Sequence, residues 1–150
     1  MNNNKYIIRQ IKDNDYEEYI TLINSPISKK DFLNFIHYVL NKHHLIYVLI
    51  INNDGDNEHI IGTGTLLIEP KMTYGICFTS HIENILINDE YRGQHYGSKL
   101  VKFLLNVSKK LNCYRTDLIC TKELEYFYEK NDFKTNKLSN MTIYFPSNFK

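Results

Sequence analysis

The stretch from His81 to Leu105 constrains the fold more than any other part of the chain. It begins with a short apolar run, Ile82 to Ile87, in which Glu83 and Asn84 break the alternation of a half-buried strand, so a β-bulge or a functional edge is expected there. A glycine-containing loop follows, and apolar residues then recur at helical spacing up to Leu105. The stretch therefore predicts a strand, a tight loop and a long helix in succession.

The loop before this helix is a candidate anion site. A helix N-terminus offers backbone N–H groups without acceptors and the positive end of the helix dipole, and glycine lets the backbone approach an anion closely. The loop is not a Walker A motif, because only three residues separate Gly93 from Gly97 and Ser98-Lys99 follows. It is not a dinucleotide-binding fingerprint either. On the loop alone, a phosphate site and an ordinary strand-to-helix turn stay open as alternatives.

Length and composition exclude several classes of protein. A chain of 150 residues has room for one core, which predicts a single domain over residues 1–150. Lys+Arg 18 against Asp+Glu 17 predicts no basic surface for nucleic acid or an anionic membrane. The three cysteines form no CxxC pair, which argues against a disulfide framework or a zinc site and indicates a reducing compartment. We therefore expect no metal. No apolar run reaches the roughly 18 residues of a membrane span, and the N-terminus has no signal-peptide core, so we expect a cytoplasmic protein.

The other segments complete an alternating order of strands and helices. Strands are predicted at residues 6–11, 45–51, 59–68, 115–120 and 141–145, and helices at 16–23, 28–41 and 123–131, with a loop at 70–75. Together with the central stretch, the order is β-α-α-β-β-β-α-β-α-β. This order predicts an α/β fold with a mixed sheet and helices on both faces.

The loop and the element order together resemble the acetyl-CoA-dependent N-acetyltransferase superfamily. In its pyrophosphate loop, Arg/Gln-x-x-Gly-x-Gly/Ala, Arg92 and Gly97 are on pattern and His95 stands where glycine is usual. Four further runs resemble one branch, whose members acetylate the amine of glucosamine 6-phosphate: Leu67-Ile68-Glu69-Pro70-Lys71, His81-Ile82-Glu83-Asn84, Ser108-Lys109-Lys110-Leu111-Asn112-Cys113-Tyr114 and Phe127-Tyr128-Glu129-Lys130. The resemblance covers about residues 60 to 133 and implies a homodimer that transfers acetyl directly within a ternary complex.

The resemblance also implies where acetyl-CoA binds. Pantetheine would pair with the strand edge at Ile85, Leu86 and Ile87, with a backbone N–H near Ile85 facing the acetyl oxygen. The pyrophosphate would lie over Arg92, Gly93, Gln94, His95, Tyr96, Gly97 and Ser98. Tyr128 matches the tyrosine that protonates the departing thiolate. An exposed Arg92 without contacts and a Tyr128 that only packs are the alternatives.

The amino-sugar phosphate is expected beside the same strand. The resemblance assigns its binding to Lys71, Met72, Thr73, Tyr74, Glu83 and Asn84. Glu83 would position the amine or take its proton through a water. A strong base is unnecessary, because a sugar amine flanked by oxygens titrates closer to about 7.7–8.0 than to the about 10.4 of lysine. A solvated Glu83 without this role is the alternative.

The sequence departs from the branch at two positions near the acceptor. The acidic residue that relatives place before the cysteine of the next strand is Ile119, and the arginine that they contribute from near the C-terminus of the neighbouring subunit is Ile143 or Tyr144. The acceptor assignment therefore competes with two others. They are an N-acetyltransferase for another small amine and a non-catalytic module that binds acetyl-CoA.

Overall fold

The fold is built on one five-stranded sheet, in the order β1-β2-β3-β4-β5, in a computed structural model that describes residues 5–53, 57–73 and 75–144. The strands are β1 (Tyr6–Gln10), β2 (His44–Asn53), β3 (Asn57–Lys71), β4 (Cys77–Ile87) and β5 (Cys113–Asp117). The helices are α1 (Tyr16–Ile23), α2 (Lys29–Asn34), α3 (Tyr96–Lys110) and α4 (Glu125–Glu129). The chain divides into two compact units, Met1–Leu118 and Ile119–Lys150.

The sheet of the first unit is mixed, as predicted. Strands β1 to β4 form antiparallel neighbours, whereas β5 runs parallel to β4. A parallel pair needs a crossover connection, which here is α3. The central strand, loop and helix predicted from the sequence are therefore the part of the chain that carries it from the antiparallel meander to the parallel strand.

Helices cover both faces of the sheet in the first unit, which confirms the predicted layers. Ile46 and Val48 of β2 join a buried cluster with Phe32 of α2. Tyr47, between them in sequence, packs its ring 5.1 Å from that of Phe103 in α3. Because side chains alternate across a strand, α3 lies on one face and the α1–α2 pair on the other.

The second helix is correctly predicted but is not uniform. Ser28 accepts a hydrogen bond from the Asp31 N–H at 3.1 Å and so caps α2. The helix continues into a π-helical turn, Phe35–Val39, before β2 begins. Within the described ranges, no helix is long and apolar enough to cross a bilayer.

The predicted last strand, residues 141–145, is wrong for the part that the structure describes. Met141, Ile143 and Tyr144 are 90%, 75% and 90% exposed, and no strand includes them; Phe145 lies outside the described residues. A strand must pair its backbone groups with a neighbour, and the described part of the second unit contains no other strand. Among the described residues, the order of helices and strands therefore ends at α4.

Two other predicted boundaries are also corrected. The predicted loop at residues 70–75 starts later, because Pro70 and Lys71 still pair with Phe78 and Cys77 at the start of β4. The strand predicted at residues 115–120 ends at Asp117, where its pairing with β4 stops. In both cases, the neighbouring strand sets the end of the element.

We expect Gly64→Ala to lower the free energy of unfolding by about 1–3 kcal/mol, the range for an overpacked core. A Cβ at Gly64 would lie 2.7 Å from Ile85 Cδ1 and 3.1 Å from Leu104 Cδ1. Thermal unfolding measures the effect, with Asn106→Ala on the exposed face of α3 as the control. A midpoint equal to that of the wild type would show that Ile85 can move away from the added methyl group.

Candidate active site

A β-bulge in β4 lies at the centre of the candidate site. The register with β3 shifts between Thr63 and Thr65, so that Asn84 and Ile85 together oppose Gly64. Asn84 has a φ of 53°, a left-handed conformation that asparagine adopts more readily than most residues. The bulge that the interrupted apolar run predicted is therefore confirmed.

From Ile82 onward, one edge of β4 has no strand beside it among the strands that the structure describes. β5 pairs with β4 only from Phe78 to His81, whereas β4 continues to Ile87. Among the strands that the structure describes, none takes up the N–H and C=O groups on this side after His81. An extended polar molecule can pair with such an edge as an added strand.

Three hydroxyl groups hold β4 and β5 together just before they separate. Ser80 Oγ donates to Ser108 Oγ of α3 at 2.9 Å and lies 2.8 Å from Thr116 Oγ1 of β5. Ser108 in turn donates to the Leu104 carbonyl at 3.1 Å. Ser80 and Ser108 are buried, so these bonds are protected from competition with water.

The loop between β4 and α3 is braced by Arg92. Its Nε donates to the Ile87 carbonyl at 3.2 Å, and its Nη2 pairs with Asp89 at 2.7 Å. The side chain is 60% exposed. The alternative of an Arg92 without contacts is therefore wrong, because the side chain ties the loop to the end of the strand.

The backbone before α3 explains why glycine is usual at the position of His95. His95 has a φ of 64° and Gly93 a φ of 77°, so both positions need the left-handed conformation that glycine accepts without strain. α3 then begins at Tyr96, and no side-chain hydrogen bond from His95 caps it. The N–H groups of the first turn of a helix have no acceptor within the helix, which makes the turn suitable for an anion.

An ion-pair network lies at the other end of β4. Lys71 Nζ pairs with Glu69, and His81 Nε2 lies 3.2 Å from the second oxygen of the same carboxylate. The hydrogen bond from Lys71, followed by that from His81, holds the pKa of Glu69 below its ordinary value. The carboxylate therefore stays ionised and links the two strands.

The residues predicted to bind the acceptor lie on both sides of this network. Lys71 is the last residue of β3, Met72 and Thr73 are exposed, and Tyr74 lies outside the described residues. Glu83 and Asn84 are exposed on β4. Lys71 is thus linked to β4 through Glu69 and His81.

Tyr128 belongs to the second unit. It is 9% exposed, and its ring lies 4.9 Å from Phe127 and 5.8 Å from Phe133. Burial raises its pKa, with a smaller contribution from Cys120. The phenol is therefore protonated at neutral pH, which is the form that a general acid needs.

Sequence reasoning missed the partners of these residues. Glu69, Arg115 and Asp117 were not predicted as site residues, yet Arg115 Nε donates to Asp117 Oδ2 at 2.8 Å. The available signal was the spacing: Glu69 with Lys71 and Arg115 with Asp117 are opposite charges two residues apart, which lie on one face of a strand.

Residues 8–133 match the model of the acetyltransferase (GNAT) family. The chain belongs to this family. Its relatives include glucosamine 6-phosphate N-acetyltransferase 1 of Dictyostelium discoideum, 30% identical over 136 residues that cover 90% of this chain and 85% of the relative. Glucosamine 6-phosphate N-acetyltransferase of Candida albicans is 29% identical over 135 residues, which cover 86% and 89%.

A solved structure agrees with the same grouping. The crystal structure of glucosamine-6-phosphate N-acetyltransferase from Arabidopsis thaliana superimposes with a TM-score of 0.83 at 27% identity, over 95% of this chain and 99% of that one. The superfamily inferred from the loop and the element order is confirmed.

We expect His95→Gly to raise the thermal midpoint, because a left-handed non-glycine residue costs about 1–2 kcal/mol and glycine adopts this conformation without that cost. The gain is offset in part by the greater freedom of glycine in the unfolded chain. Gln94→Gly is the matched control, since Gln94 has no positive φ; it should lower the midpoint. A lower midpoint for His95→Gly as well would show that His95 is not strained.

Proposed function

We propose that this protein transfers the acetyl group of acetyl-CoA to the amine of glucosamine 6-phosphate. The product, N-acetylglucosamine 6-phosphate, would supply UDP-N-acetylglucosamine synthesis. One observation carries the proposal: a bulged strand with an unpaired edge, β4, leads directly into a left-handed loop and the N-terminus of α3. The relatives that carry this activity in their names support the choice of acceptor.

Acetyl-CoA would lie along this edge and loop. Pantetheine would pair with Ile85, Leu86 and Ile87, and the backbone N–H near Ile85 would donate to the acetyl oxygen. The pyrophosphate would accept hydrogen bonds from the main chain of residues 92–98, at the positive end of the α3 dipole. The left-handed backbone at Gly93 and His95 supports this role, because it turns the chain into the helix.

Transfer would occur in one step from the thioester to the amine. The amine nitrogen attacks the carbonyl carbon, the N–C bond forms and the C–S bond breaks. Glu83, exposed next to the bulge, would position the amine and accept its proton directly or through a water. Tyr128 would give its proton to the CoA thiolate. Ile119 has no carboxylate, so Glu83 would act without a second acidic residue from that position.

The acceptor would lie between Glu83 and the end of β3. Lys71, Met72, Thr73 and Tyr74 would bind the sugar phosphate, with Asn84 beside the amine. Lys71 supplies a cation at this end of the sheet, although Glu69 already neutralises part of its charge. Binding would therefore exchange one ionic partner of Lys71 for another.

We propose one acetyltransferase domain, assembled as a homodimer in the cytoplasm. The family match runs from residue 8 to residue 133 and so includes parts of both units, which supports a single domain. In the second unit, Leu138, Met141, Ile143 and Tyr144 are 79%, 90%, 75% and 90% exposed. A second copy of the chain would remove these apolar side chains from water.

Release of free thiol from acetyl-CoA, measured with a panel of amines, tests the function. Glucosamine 6-phosphate should give the highest kcat/KM. Turnover only with another amine would favour a different small-molecule N-acetyltransferase. Acetyl-CoA binding by calorimetry without turnover of any amine would favour the non-catalytic module.

We expect Gly97→Val to weaken acetyl-CoA binding, because a β-branched side chain in the first turn of α3 would obstruct the pyrophosphate. The fold should survive, since the position is only half-buried. Calorimetry gives the affinity, and Asn106→Val, exposed later in the same helix, controls for the cost of valine in a helix. An unchanged affinity in Gly97→Val would assign the loop a purely structural role.

We expect Tyr128→Phe to lower kcat by about tenfold to a hundredfold, the low end for a positioned acid, because a thiolate with a pKa near 8.5 already leaves well. Acetyl-CoA affinity and the thermal midpoint should stay close to those of the wild type, since the ring still packs. Tyr126→Phe on the same helix, with Tyr126 65% exposed, is the control. A kcat within about twofold of the wild type would withdraw the general acid.

A further inference from the structure

A lysine in the first turn of α3 lies over two tyrosine rings. Lys99 Nζ is 4.6 Å from the ring centroid of Tyr6 in β1 and 4.6 Å from that of Tyr96 at the start of the helix. The centroids of the two rings are 6.2 Å apart, in an edge-to-face arrangement. Tyr96 is 5% exposed, and a cation–π contact is stronger where it is partly removed from water. The two rings therefore hold the ammonium group in one place.

The Lys99 side chain points back toward the start of the helix. Long side chains on an α-helix lie over the preceding turn, and the contact with Tyr96, three residues earlier, shows this direction for Lys99. The Lys99 N–H donates to the His95 carbonyl at 3.1 Å. The ammonium group therefore lies at the level of the first turn of α3, where the N–H groups without acceptors would receive the pyrophosphate.

The positive charge of Lys99 is not neutralised by a carboxylate. Arg92, the cation of the preceding loop, pairs with Asp89 at 2.7 Å. In the part of the chain that the structure describes, no ion pair includes Lys99. An aromatic ring attracts a cation through its quadrupole and carries no net charge. The charge of Lys99 therefore remains available to an anion at the start of α3, whereas that of Arg92 is shared with Asp89.

We propose that Lys99, held by Tyr6 and Tyr96, supplies the positive charge that attracts the phosphate groups of acetyl-CoA to the start of α3; the inference rests on the acetyl-CoA site proposed above. Lys99 acts through space. Its ammonium group stays on the two rings, and the main chain makes the hydrogen bonds to the pyrophosphate. This charge adds to the positive end of the α3 dipole. Because salt screens the attraction between partly exposed charges, the contribution is largest at low ionic strength.

Calorimetry of CoA binding at low and high salt tests the proposal in the wild type and in Lys99→Gln. Suitable NaCl concentrations are about 0.01 M and about 1 M, between which the Debye length falls from about 30 Å to about 3 Å. We expect Lys99→Gln to raise the Kd of CoA about threefold to tenfold at low salt and less than about twofold at high salt. Lys99→Arg should stay within about twofold of the wild type at both, because a guanidinium keeps the charge and also stacks on aromatic rings.

A second pair of variants tests the contribution of the rings. Tyr6→Leu removes one aromatic face, so that the ammonium group is less well held. It should raise the Kd at low salt by less than Lys99→Gln does. Tyr6→Phe keeps the aromatic face and should bind CoA as the wild type does. A Kd for Tyr6→Leu equal to that of the wild type at low salt would overturn the role of the rings.

Lys110→Gln removes the same charge at the other end of α3, where Lys110 is exposed, and should leave the Kd unchanged. An equal loss at both salt concentrations in Lys99→Gln would overturn the electrostatic role and assign Lys99 to the packing of α3 on β1. An unchanged Kd at low salt would overturn it as well, and in both cases the CoA site stands. A wild type that does not bind CoA at either concentration would refute the proposed function together with the role of Lys99. Thermal midpoints without ligand show whether each variant is folded.

Discussion

The bulge opposite Gly64 is the constraint on which the rest of the site depends. Before it, Glu83 pairs with Thr65; after it, Leu86 pairs with Thr63, so the alternation of β4 is shifted by one residue. The shift lets Glu83 face the open side of the sheet while Ile85 packs toward α3, where its Cδ1 lies 2.7 Å from the position of a Cβ on Gly64. A residue larger than glycine at this position would require the side chains of Ile85 and Leu104 to move. A single extra residue thus allows one strand to carry both a polar site and a buried core.

The separation of β4 from β5 follows from what surrounds it. The hydroxyl groups of Ser80, Ser108 and Thr116 fasten the two strands one residue before their last pair, His81 with Asp117. Beyond that point β5 ends, and no strand that the structure describes pairs with this edge of β4, so its backbone groups need another partner. A polar ligand that pairs with the edge would satisfy them, and this edge is where we propose that acetyl-CoA binds. The core around β2 offsets the local loss of stability at this edge. Its residues Val48, Leu49, Ile50 and Ile51 have no exposed surface.

Sequence reasoning predicted the parts of the molecule that local patterns determine. The bounds of α1, the cap at Ser28 and the interrupted run at Glu83 and Asn84 depend on neighbours in sequence, and the structure has all three. The end of β5 and the segment at residues 141–144 depend on whether another strand is available, which no local pattern shows. The left-handed backbone at His95 was not predicted for a different reason: glycine, its usual signal, is absent there. Ion pairs such as Glu69 with His81 join different strands and follow from register rather than from spacing.

One face of β3, β4 and β5 carries the charged residues Glu69, Lys71, His81, Glu83, Arg115 and Asp117. Lys71 and Arg115 are permanent cations, and Glu69, Glu83 and Asp117 are anions; His81 adds a positive charge only when it is protonated. This near balance, in a chain with a formal net charge of +1, gives no long-range attraction for a dianion. Discrimination must therefore come from short-range geometry. Such geometry is available on this face, because Glu69 links Lys71 to His81 across β3 and β4, and Glu83 lies two residues beyond His81 on the same face of β4.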